Sequence, residues 1–112
     1  MNMADRPTTW REFWPFYLRE HADPRSRAVH YIGSTLALLA LSLAAATQEW
    51  RWLLAAPVAG YGFAWFGHFA IERNRPATFS HPLWSLAGDY RMLALWASGR
   101  LGPHLDRAGV RR

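Results

Sequence analysis

His68 and Glu72 stand four residues apart at the end of an apolar run, followed by Arg73, Asn74, Arg75 and Pro76. Residues at that spacing share one face of a helix. Imidazole and carboxylate bind first-row metals, and both carry protons in acid–base chemistry. The chain has no cysteine, so a thiolate zinc site and a thiol nucleophile are excluded. It contains no HExxH pair, no phosphate-binding loop and no G-x-S-x-G elbow. The remaining candidates for this chemistry are four further histidines: His21, His30, His81 and His104.

The elements that must position these residues are helical. Residues 31–47 carry no charge, and residues 52–71 hold no ionisable group other than tyrosines and His68. At about 1.5 Å per residue each run is close to the thickness of a bilayer's hydrocarbon core. The four residues between them, Gln48 to Arg51, force an antiparallel hairpin. Thr9 and Glu12 have capping-box spacing and start a helix over 10–21, with Pro15 inside it as a slip or a kink. Trp10, Phe13, Trp14, Tyr17 and His21 share one face of that helix, as in a segment lying at an interface. Asp23-Pro24 reads as an N-cap followed by proline at the first helical position. Ser80 and Pro82 start a further interfacial helix over 82–98, ended by Gly99. In it Leu86, Asp89, Leu93 and Trp96 fall on one face, which turns Asp89 inward as a structural hydrogen-bond acceptor. Residues 100–112 read as a flexible tail that includes a solvated His104. The fold expected is all-α: one membrane domain built as an integral membrane helical hairpin of two spans, flanked by amphipathic helices.

All 13 basic residues are arginine, and the formal net charge is +5. The arginines do not form a stripe between exposed aromatics, which argues against nucleic acid as a partner. They gather at the ends of the apolar runs instead. Arg6, Arg11, Arg19, Arg25 and Arg27 precede the first span, and Arg73, Arg75, Arg91 and Arg100 follow the second. The connecting loop has only Arg51, offset by Glu49. That asymmetry predicts an integral membrane protein with both termini cytoplasmic, as in a bacterial inner membrane.

Small residues mark the faces on which the spans meet. Ala56, Gly60, Ala64 and His68 recur at intervals of four, and His30, Gly33, Ala37 and Leu41 line a face of the first span. If those faces meet, His30 and His68 lie at nearly the same depth. His21 ends the first helix three residues before Pro24, and His81 follows Pro76 by five, so both reach the same end. Four histidines at one membrane face read as a metal or catalytic site. Each residue taken singly has a plainer reading, as a partner of helix-end carbonyls or, for Glu72, of the neighbouring arginines.

Phe16-Tyr17 with His21, His30 with Gly33, Trp65-x-Gly67-His68 with Glu72, Asn74 and Pro76, and Pro82 with Ser85 and Asp89 form a combined pattern. It resembles the Mpo-type family of small membrane proteins, formerly a domain of unknown function, over about residues 10 to 98. A fungal member of that family is a 2-hydroxy fatty acid dioxygenase that requires ferrous iron and acts in fatty acid α-oxidation. The resemblance implies a multi-helix membrane fold and non-haem Fe2+ held by His21, His30 and His68. It also implies Glu72 and Asn74 as site residues. His81 is outside the motif and enters the ligand set by position alone.

The implied substrate is a 2-hydroxy fatty acid, whose hydroxyl and carboxylate can chelate iron while its tail lies along the apolar hairpin. Arg25, Arg27, Arg73 or Arg75 could hold the carboxylate. Two other classes remain open at this stage. One is a haem protein with His30 and His68 as axial ligands. The other is a noncatalytic membrane scaffold that binds a partner.

Overall fold

A computed structural model describes residues 6–111, and every regular element among them is helical. The order is α1 (Trp10–Glu20), α2 (Pro24–Thr47), α3 (Arg51–Phe66) continued as a π-helical turn (Gly67–Glu72), a 3-10 turn (Ala77–Phe79), α4 (Pro82–Ala97) and α5 (Leu101–Ala108). The chain forms two compact units. One is the continuous stretch Asp23–Pro76, and the other combines the residues up to Ala22 with those from Ala77 onward.

The continuous unit is the antiparallel hairpin of α2 and α3. Both helices, with α3 counted through its π turn, are long and apolar enough to cross a membrane. The first begins at Pro24, well before the uncharged run at 31–47, because Asp23 caps it: its carboxylate accepts the Arg25 N–H at 2.8 Å. The helices meet through small residues. Ala37, Ala40 and Ala56 form a buried cluster with Ala55 against it. Gly33 is the tightest point, where a Cβ would lie 2.7 Å from Phe63 Cβ and 3.1 Å from the Ala59 carbonyl. The expected face held with one correction. Leu41 is 43 % exposed and Ala40 takes its place in the contact. A seam followed along a helix of 3.6 residues per turn drifts, so 33, 37 and 40 stay on it and 41 rotates off. The large apolar side chains point outward: Ile32, Leu39, Leu53, Leu54 and Val58 are all at least half exposed. A buried hairpin of a water-soluble domain would turn such residues inward.

In the other unit α1, α4 and α5 pack on one another. Thr9 caps α1 by accepting the Glu12 N–H at 3.2 Å. The helix runs through Pro15 without restarting there. Its aromatic face is buried inside this unit, with Phe13, Tyr17 and Leu18 fully covered. Two expectations are corrected. Ser80 does not cap α4; His81 holds the cap position without a side-chain bond, and Ser80 Oγ sits 2.8 Å from His81 Nδ1 instead. The buried positions of α4 are Ser85, Gly88 and Met92, whereas Leu86 and Trp96 are exposed. The tail is likewise not loose: α5 buries Leu101, Leu105 and Ala108. Pro103 does not prevent this helix, because proline in a first helical turn loses no hydrogen bond.

Candidate metal centre

His30 lies in the second turn of α2 and His68 in the π turn that ends the hairpin's other helix. Both are buried. Their Nε2 atoms are 3.3 Å apart, with the rings edge to face. Each ring is oriented by its other nitrogen. His30 Nδ1 is 2.7 Å from the Ser26 carbonyl oxygen, and His68 Nδ1 is 2.7 Å from Asn74 Oδ1. A carbonyl oxygen can only accept, so both Nδ1 atoms carry the proton. Both Nε2 atoms then present lone pairs to each other. An oxygen acceptor behind a ligating histidine is the usual support of a metal site.

His21, at the end of α1, has the same arrangement in its own unit. Its Nδ1 is 2.6 Å from the Tyr17 carbonyl, which leaves Nε2 as the ligand atom. That carbonyl belongs to the last turn of α1, where a helix leaves carbonyls without intrahelical partners. His21, His30 and His68 are each buried, and each offers a ring nitrogen that could bind a metal ion. Neutral imidazole suits zinc, copper, iron or nickel.

The π turn shapes the His68 end. Gly67 is buried against His30: a Cβ there would meet Ser26 Oγ at 3.0 Å and His30 Cε1 at 3.1 Å. Arg73 closes the turn with φ 56°, in the left-handed region, and Asn74 N–H then returns to the His68 carbonyl at 2.9 Å. Nothing in the sequence signals this turn, whose bonds span five residues instead of four. Gly67 beside His68 was the one available sign of a close approach.

The other expected residues are placed as follows. Glu72 Oε1 accepts the Asp23 N–H at 2.7 Å, tying the end of the hairpin's second helix to the start of its first. Arg25 is mostly exposed and pairs with Asp23 at 2.7 Å. That pair holds the Asp23 carboxyl at about 2, below the usual carboxylate range. Arg27 is buried, and Arg73 and Arg75 are exposed. His81 has both ring nitrogens engaged, Nδ1 by Ser80 Oγ at 2.8 Å and Nε2 by the Pro7 carbonyl at 3.0 Å. No nitrogen is left for a metal, so the structure does not bring His81 into the ligand set. His104 is not a solvated tail residue, because it accepts the Trp14 indole N–H at 3.1 Å. Asp89 accepts the Tyr17 hydroxyl, as expected of a structural acceptor. Burial pushes its carboxyl up to about 7, against the lowering effect of the Tyr17 bond.

Residues 8–101 match the family model described as 2-hydroxy-palmitic acid dioxygenase Mpo1-like. No curated protein and no solved structure matches the chain.

Proposed function

Because the chain belongs to the Mpo1-like family, we propose that it is a membrane-bound, Fe2+-dependent dioxygenase that shortens 2-hydroxy fatty acids by one carbon. The observation that supports this reading most strongly is the pair of Nε2 lone pairs of His30 and His68, 3.3 Å apart, each backed by an oxygen acceptor on Nδ1. His21, His30 and His68 would hold the ion. When bound, ferrous iron supplies the redox chemistry that lets dioxygen cleave the bond between the first two carbons of the acid.

The protein's own contribution is orientation and surroundings. The Ser26 and Tyr17 carbonyls and the Asn74 amide oxygen fix the three tautomers and increase the basicity of each ligand nitrogen. The outward-facing leucines and phenylalanines of the hairpin offer a wall for an acyl chain, at about 0.8 kcal/mol for each methylene buried. Arg73 and Arg75, exposed just beyond the π turn, could hold a carboxylate at the membrane surface.

A bis-histidine haem does not fit this pair. The two ring nitrogens are nearly in contact, and the helices behind them meet backbone to side chain at Gly33 and Phe63. A porphyrin has no slot between them.

The test is product analysis by mass spectrometry with iron-loaded protein, oxygen and a long-chain 2-hydroxy fatty acid, with His68→Ala as control. The expected product is one carbon shorter. A 3-hydroxy acid of equal length and a short water-soluble 2-hydroxy acid should both react poorly. Equal turnover by the control, or no turnover across a range of chain lengths while iron is bound, would remove this function and leave the metal centre standing.

A further inference from the structure

A cleft of about 570 Å³ opens in the unit built from α1, α4 and α5, with Trp10, Arg11, Trp14, Arg91, His104 and Arg107 among its walls. Its size falls in the range of small-molecule sites, about 300–1,000 Å³. None of the three histidines of the metal centre lines it, and neither does any acidic residue. The ion pairs Arg25–Asp23 and Arg51–Glu49 do not involve Arg11, Arg91 or Arg107. Three arginines thus line one cavity whose walls carry no acidic side chain.

The cleft is also built. Arg91 lies over the Trp14 ring, its Cζ 4.5 Å from the centroid, and 5.8 Å from that of Trp10. Stacking uses the face of a guanidinium and leaves its N–H edge to donate. Trp14 is itself buried and held by its indole N–H bond to His104 Nδ1. Arg107 Nη2 is 3.3 Å from the same nitrogen. Burial first, and then the charges of Arg107 and Arg91, hold the His104 imidazole below its usual range. His104 and Arg107 lie beyond residue 101, where the family match ends.

The geometry points to a seat for the phosphate headgroup of an anionic phospholipid, held by Arg11, Arg91 and Arg107 with Trp10 and Trp14 beside its glycerol. Guanidinium forks match phosphate oxygens in pairs. Indoles favour the headgroup level, where one side is apolar and the other wet. A chain with two helices able to cross a bilayer meets such lipids at high local concentration. The inference does not depend on the dioxygenase reading.

The test is lipid retention by the full chain in neutral detergent, read by native mass spectrometry with equal amounts of phosphatidylglycerol and phosphatidylcholine. Phosphatidylglycerol should be retained preferentially. Arg91→Gln and Arg107→Gln should each weaken its retention about tenfold, the size of one charge-assisted hydrogen bond. Arg51→Gln, which removes the same charge from the hairpin loop, should have no effect. Arg107 is exposed on the last helix, so its replacement decides the matter even if Arg91→Gln fails to fold. Equal retention of the two lipids, or an equal loss in Arg51→Gln, would overturn the assignment. Displacement of the lipid by millimolar inorganic phosphate would also overturn it, by giving the cleft to a soluble phosphate.

Discussion

His68 and Asn74 are joined twice: the Asn74 N–H donates to the His68 carbonyl at 2.9 Å, and the His68 Nδ1–H donates to Asn74 Oδ1 at 2.7 Å. One bond sets where Asn74 sits, and the other sets how the imidazole is turned. Asn74→Ala should therefore keep a folded, detergent-soluble protein and lower its iron affinity about 10–100-fold, the usual cost of losing the support behind a ligand. Asn74→Asp should restore it, since a carboxylate accepts the same bond. Metal analysis of anaerobically purified variants reads both. Full iron occupancy in Asn74→Ala at limiting iron would show that the support is dispensable.

Glu72 separates structure from ligation. Its contact with the Asp23 N–H needs only an acceptor oxygen, which glutamine also has. Glu72→Gln should keep both thermal stability and iron. Glu72→Ala leaves that N–H unpartnered and should cost about 1–3 kcal/mol. If Glu72→Gln lost iron as completely as His68→Ala, the carboxylate would be a ligand after all.

The glycines of the hairpin rank by the space around them. A Cβ at Gly60 would meet Ala37 at 3.7 Å, an ordinary contact, whereas one at Gly33 would meet Phe63 at 2.7 Å. Gly60→Ala should fold nearly as well as the parent, and Gly33→Ala should lose much of its folded yield in detergent. Gly67→Ala is the informative third case, because its Cβ would press on the His30 ring. It should lose iron before it loses helicity, with metal content and circular dichroism measured on the same sample.

Asp89 gives a pH dependence with a definite sign. In the unfolded chain an aspartate ionises near 3.9, and in the folded chain Asp89 ionises at about 7. Between those values the folded state holds one more proton, so stability falls as pH rises from about 4 to 7 and levels off above. Asp89→Asn keeps an acceptor for the Tyr17 hydroxyl and removes the titration. The parent should thus lose stability relative to Asp89→Asn across that window, as seen in denaturation midpoints at pH 5 and 8. A constant difference between the two proteins would refute a buried, protonated Asp89.

Much of the hairpin was legible because membrane helices obey few rules. Uncharged length, small-residue spacing and the Asp23-Pro24 start gave the two helices, and the shared depth of His30 and His68 followed from antiparallel pairing. What escaped was set by choices among equivalent partners. Ring nitrogens of His81 could serve a metal or a serine and a carbonyl, and residue type does not distinguish these. The stretch 100–112, expected as a flexible tail, holds α5 instead, and Pro103 sits within its first turn, where its missing N–H is not needed. Trp14 and His104 are 90 residues apart, a pairing no local pattern encodes.

The π turn at Gly67–Glu72 has a genetic consequence. A single such turn holds one residue more than the α-helix it interrupts. Losing one codon among Phe69, Ala70 and Ile71 would let the segment close as ordinary α-helix. The second long helix would survive such a deletion in length and apolarity, still able to cross a membrane. Asn74 would be carried round the helix axis and away from His68. A one-residue deletion there is thus a clean route from a chain in which Asn74 backs His68 to a homologue that keeps the scaffold alone.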